Sequence, residues 1–136
     1  MKKKIFIAAI LFLVLFAEAC VRLEGGFAIR RYNEETYRKR VTPFECAVAE
    51  EVQWAFLFDK VTRRHDIAVI IQKKEIGWVE SRSWSDYISR EKSAVHGTIK
   101  DFEPGEYQIM ILQVKENNKV LGTLGFFVYA KAGAES

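Results

Sequence analysis

Two histidines, two cysteines, a run of serines and a cluster of aromatic side chains are the groups in this 136-residue sequence that could do chemistry. His65 precedes Asp66, but it follows Arg63 and Arg64, whose charges oppose a bound cation. His96 stands far from it, and no His-x-x-x-His or Cys-x-x-Cys spacing occurs, so no structural zinc site can assemble locally. Ser81, Ser83, Ser85 and Ser89 lie outside any Gly-x-Ser-x-Gly context and read as turn and cap residues. Glu50 and Glu51 point to opposite faces of an extended chain, which prevents their cooperation at one centre. No glycine-rich phosphate loop occurs. Neither an enzyme, a metal nor a cofactor is expected. What remains is aromatic: Trp78, Trp84 and Tyr87 fall within ten residues, beside Arg82, Asp86 and Arg90. Exposed rings next to charges stack on sugar rings or anchor a protein partner, whereas buried ones close the end of a core.

The cysteines depend on the first nineteen residues. Lys2-Lys3-Lys4 is a positive start, Ile5–Ala17 is an uncharged run of thirteen residues, and Ala17-Glu18-Ala19 is a small-x-small cleavage pattern. As a helix that run rises only ~20 Å against a hydrocarbon core of ~30 Å, so it reads as a signal peptide over 1–19 rather than a permanent span. Cys20 follows the cut directly. Leu15-Phe16-Ala17-Glu18-Ala19-Cys20 resembles the lipobox of bacterial lipoproteins, departing from it at the charged Glu18. That resemblance implies a diacylglyceryl group on Cys20. Two fates stay open. An acylated Cys20 leaves Cys46 as a lone, buried thiol, and an unmodified one can pair with Cys46 as a disulfide in an oxidising compartment. A catalytic Cys46 would need His65 or His96 as its base and has no local signature.

Charge then narrows the partners. The net of +3 comes from 21 Lys+Arg and 18 Asp+Glu. Without residues 1–19 the counts are 18 and 17, which removes the main support for a nucleic-acid partner. Residues 21–44 hold six basic and three acidic side chains, broken by Gly25-Gly26 and closed by Pro43. Residues 20–44 therefore read as a basic tether or edge segment, with one strand near Phe27–Tyr32.

The elements that must position these groups are mostly strands. Val52, Trp54, Phe56 and Phe58 alternate with smaller or polar residues, the period of a half-buried strand. Ile67–Gln72, Ile76–Glu80 and Ala94–Lys100 read as further strands, while Cys46–Glu51 fits either a strand or a helical turn. Tyr107–Val114 and Val120–Tyr129 form a hairpin across Lys115-Glu116-Asn117-Asn118-Lys119, because asparagine tolerates positive φ. Gly122 and Gly125 mark a bulge or a close backbone approach. Ser83-Trp84-Ser85-Asp86 has capping-box spacing and predicts a short helix or structured loop between Trp84 and Ser93.

Phe102-Glu103-Pro104-Gly105-Glu106-Tyr107-Gln108-Ile109-Met110-Ile111 resembles the corner and penultimate strand of immunoglobulin-like and fibronectin type III-like sandwiches in exported bacterial proteins. The resemblance implies that Tyr107 fills the sandwich edge while its hydroxyl returns to backbone, and that Trp54 is a core tryptophan. The expectation is one all-β, antiparallel immunoglobulin-like sandwich of about seven strands over 45–136. Its function would be that of a non-enzymatic cell-envelope protein acting as an interaction or assembly module. It would be periplasmic, secreted, or anchored to the outer membrane, touching membrane only through a lipid on Cys20. The expected partner is an envelope protein. A glycan bound by Trp78, Trp84, Tyr87 and Arg82, or an envelope hydrolase inhibited by this chain, are the alternatives.

Overall fold

The computed structural model describes residues 22–130. The signal peptide read over 1–19 and Cys20 both lie outside the described residues. Nine strands follow one another: β1 (Gly25–Arg31), β2 (Arg38–Lys39), β3 (Phe44–Ala47), β4 (Val52–Phe58), β5 (His65–Lys74), β6 (Trp78–Ile88), β7 (Ala94–Ile99), β8 (Gly105–Gln113) and β9 (Lys119–Tyr129). They form a four-stranded sheet, β2-β1-β4-β7, facing a five-stranded sheet, β3-β9-β8-β5-β6. The architecture is an all-β, immunoglobulin-like sandwich, as the strand pattern and the Tyr107 corner imply.

Period-two alternation builds the interior. Val52, Trp54, Phe56 and Phe58 of β4 point inward and meet Ile67, Val69 and Ile71 of β5, Ile109 and Ile111 of β8, and Leu124 and Phe126 of β9. Tyr107 stacks on Phe126 with ring centroids 5.1 Å apart, and Phe102 meets it edge-on at 5.0 Å. Its hydroxyl donates to the Glu103 carbonyl at 2.7 Å, closing the corner before β8. Two glycines permit close layers. A Cβ on Gly97 would stand 2.9 Å from the Trp54 ring, and one on Gly122 would stand 2.5 Å from Phe56. The β8–β9 register shifts beside Gly122, between Ile111 and Leu112, which is the irregularity the glycines indicate. Asn117 and Asn118 take φ of 53° and 55° in the hairpin turn.

Four details depart from the sequence reading. Nine strands stand where about seven are expected over 45–136, the additions being β1 and the two-residue β2, both of which precede that range. The sandwich is not purely antiparallel, because β3 runs parallel to β9. Having descended β2, the chain crosses between sheets at Val41–Pro43 and turns upward beside β9. No helix forms between Trp84 and Ser93: β6 continues to Ile88, paired with β5 throughout. Residues 25–31 are a strand of the sandwich rather than a solvated tether, since β1 pairs with β4 over seven residues and buries Phe27, Ala28 and Ile29. The edge alternative is the better description, because β1 has only the short β2 on its far side.

Candidate functional site: the outward face of the five-stranded sheet

Strand parity decides which predicted residues can act together. Trp84 lies opposite Val69 and points inward, its ring 6.1 Å from Trp54. Arg82 lies opposite Ile71 on the same side, over the Phe102 ring at 4.0 Å, and donates to the Lys100 carbonyl at 3.4 Å. Trp78 and Tyr87 project from the other face, 40% and 39% exposed. They sit near the two ends of β6, nine steps apart and so about 30 Å along an extended strand. The four residues therefore do not share a surface. Trp84 and Arg82 close the sandwich, while Trp78 and Tyr87 are separate rim aromatics. Each rim ring has cations beside it: Lys74 Nζ is 5.9 Å from Trp78, and Arg64 and Lys92 are 4.3 and 4.7 Å from Tyr87.

The other candidates are dispersed too. His65 begins β5, with Nδ1 3.4 Å from Gln113 Nε2. Burial first, then the positive charge of Arg63, holds its pKa below the usual histidine value; Glu116 opposes this, and Lys115 adds a smaller lowering effect. His96 is on β7 in the opposite sheet, exposed and opposite Ala55. Among the described residues no three His, Cys, Asp or Glu side chains cluster as metal ligands. Cys46 points into the core from β3 as a free thiol. Burial, with Glu50 adding to it and Arg31 partly opposing, pushes its pKa up to about 11. A thiol so protonated is a packing group rather than a nucleophile.

What the structure does bring together is a panel that sequence reasoning missed. Ala68 and Ile70 of β5, both half-buried, face outward opposite Leu112 and Met110 of β8, of which Met110 is half-buried and Leu112 only 7% exposed. Leu112 in turn lies opposite Val120 of β9, and Met110 opposite Thr123. Ser85 and Ser83 of β6 flank Ala68 and Ile70 on the other side. Charged pairs frame this apolar centre. Lys74–Glu106 at 3.6 Å closes one end, and Asp66, reached by Arg64 at 3.7 Å and Lys115 at 4.0 Å, closes the other. Phe127, Tyr129, Trp78 and Tyr87 stand exposed around the margin. An apolar middle with a polar, aromatic-studded rim is the anatomy of a protein contact surface. Its signal was present in the sequence: Ile67–Ile71 and Ile109–Leu112 are apolar at both parities. A strand with only one face on the core alternates instead.

No protein-family model and no curated protein sequence matches the chain. Solved structures do resemble it. The PmoD soluble domain from Methylocystis sp. is similar at a TM-score of 0.50 and 10% identity, over 76% of this chain and 89% of that one. The extracellular domain of a one-component system from B. thetaiotaomicron aligns at 0.47 and 9% identity, over 84% of this chain but 16% of that one. A CARDB domain from Pyrococcus furiosus, solved with di-metal ions, aligns at 0.41 and 14% identity, over 79% of this chain and 89% of that one. At such identities likeness speaks to the fold alone.

Proposed function

We propose that this chain is a non-enzymatic, exported cell-envelope domain that acts as an interaction or assembly module, with the outward face of the five-stranded sheet as its contact surface. The observation that carries the reading is the pairing of half-buried Ile70 with half-buried Met110, beside Ala68 and the buried Leu112, on a face to which the described residues add no further layer. Apolar groups kept at a solvent-facing parity in both central strands serve a partner better than they serve the fold. Export rests on the Lys2–Ala19 leader, and the cysteine after it favours an anchored or periplasmic location.

The partner expected there is an envelope protein. A photo-crosslinking residue at Met110 should form a protein adduct in growing cells, whereas one at Thr98 on the opposite sheet should not. Ile70→Glu should abolish the adduct while leaving the thermal transition within a few degrees of wild type. An adduct removed by glycosidase digestion would replace the protein partner by a glycan. Equal crosslinking from the two sites, or none from Met110, would overturn the reading.

A further inference from the structure

The chain enters the sandwich at one end, and that end differs in charge from the other. Glu24 accepts a hydrogen bond from Asp59 N at 3.0 Å, and Leu23 packs against the core. Phe58, which ends β4, donates from its backbone N to the Ser93 carbonyl at 2.9 Å, and Val114 N donates to the Asp66 carbonyl at 3.2 Å. The chain entry and the connections 59–64, 89–93 and 114–118 therefore lie together. Segments 22–24, 59–66, 86–93 and 113–119 at this end hold eight Lys/Arg and six Asp/Glu. Segments 30–38, 47–52, 73–80 and 100–106 at the far end hold six and nine. The molecule is thus a charge dipole with its positive pole at the chain entry. Arg63, Arg64, His65 and Lys115 converge there on a surface pocket of about 170 Å³, which also contains Asp66 and Glu116.

Cys20 stands three residues before Leu23. Three trans peptide steps reach at most ~11 Å, somewhat more than the Debye length of ~8 Å in physiological salt. A lipid on Cys20 would hold this pole within range of the headgroup charge, with almost no slack to turn the domain over. We propose that the basic end of the sandwich rests on an anionic lipid surface, in contact through the 59–64 and 114–118 connections, so that the acidic end points away from the bilayer. The inference rests on the export reading above, and it adds a second membrane contact besides the acyl chain.

Two arms of one experiment separate the inference from that reading. The mature chain carrying Cys20→Ser, which has no acyl group, is sedimented with phosphatidylglycerol-containing vesicles and with pure phosphatidylcholine vesicles in low salt. Retention on the anionic vesicles only is expected, with about a tenfold loss in Arg63→Glu/Arg64→Glu and a similar loss in 0.5 M salt. Glu50→Gln/Glu51→Gln at the far end should bind as the parent does. Equal retention on both vesicle types, or none on either, overturns the docking whatever the state of Cys20. The second arm weighs the mature protein purified from membranes and, where Cys20 is acylated, maps its backbone hydrogen exchange on the same vesicles. Protection at 59–64 and 114–118 supports the orientation, and protection at 75–77 and 101–104 overturns it. An unmodified Cys20 removes the anchor from the proposed function but leaves the sedimentation result to decide the docking.

Discussion

Tyr107 and Cys46 show how single groups fix this fold. The Tyr107 ring is held between Phe126 and Phe102, so the contribution of its hydroxyl can be isolated by removing one atom. Tyr107→Phe keeps the packing and leaves the Glu103 carbonyl without its donor, which should cost about 1–2 kcal/mol. Differential scanning calorimetry should show a transition several degrees lower, and an unchanged Tm would mean the corner bond contributes nothing. Cys46 gives a pH signature. Burial first holds its folded pKa at about 11 against the ordinary 9.0, so the neutral thiol is the form the folded state favours. Between those values the unfolded chain gives up the proton and the folded chain keeps it, so the stabilisation is complete below pH 9 and is lost as pH rises toward 11. Denaturant titrations of the wild type and of Cys46→Ala should therefore converge over that interval. Tyr107 was readable because Pro104-Gly105 and a following apolar alternation announce a corner. For Cys46 the sequence left two fates open, a lone buried thiol or a disulfide with Cys20, and its place opposite Val128 is what shows it facing inward.

At the scale of elements, β6 is where the sequence misleads, and the reason is chemical. Ser83 and Asp86 have the spacing a helix N-terminus asks for, yet here Asp86 is an inward position of a strand. Its carboxylate is accommodated by Lys92, which reaches back from the next connection with Nζ at 2.7 Å, while Tyr87 N donates to the same oxygen. Burial alone would raise the Asp86 pKa, but these two hydrogen bonds and the Lys92 charge outweigh it and depress the value. A depressed carboxylate stabilises the fold above the pKa it has when unfolded and loses that contribution as pH falls through the folded value. Asp86→Asn should therefore lessen the acid sensitivity of unfolding below pH 4 while lowering stability at pH 7. A mutant whose stability fell in parallel with wild type down to pH 2 would contradict this. The same strand yields a contrast between its tryptophans. Trp84→Ala removes a ring packed on Trp54 and should cost about 3 kcal/mol, whereas Trp78→Ala, at an exposed position, should change stability by less than about 0.5 kcal/mol. Comparable losses in chemical denaturation would mean that the two rings share one environment after all.

For the molecule as a whole, the two-sheet architecture was legible and its lower boundary was not. The alternation in β4, the asparagine turn and the Tyr107 corner each point to a sandwich independently, and each concerns contacts close in sequence. A strand near Phe27–Tyr32 was legible, but placing it inside the sandwich required a contact between residues far apart: Phe27 lies opposite Phe56, and Ile29 opposite Trp54. Its local composition argues the other way, with Gly25-Gly26 before it and six cations within 22–40. The outward panel escaped notice for a related reason, since apolar runs in Ile67–Ile71 and Ile109–Leu112 reveal a second face only once the strands are known to be central. A division at Glu45 would leave the four-stranded sheet with β4 and β7 alone, uncovering one edge of the strand that carries Trp54 and Phe56. Residues this buried cannot lose a neighbouring strand and keep their packing, and a two-stranded layer is too small to cover the inner face of five. A chain beginning at Glu45 should therefore show no cooperative thermal transition, weak near-ultraviolet dichroism and strong binding of a hydrophobic dye. The mature chain from Cys20 should melt in a single step. If the shorter chain melted cooperatively within a few degrees of the longer one, β1 would be an accessory to the sandwich and the boundary at 45 would stand.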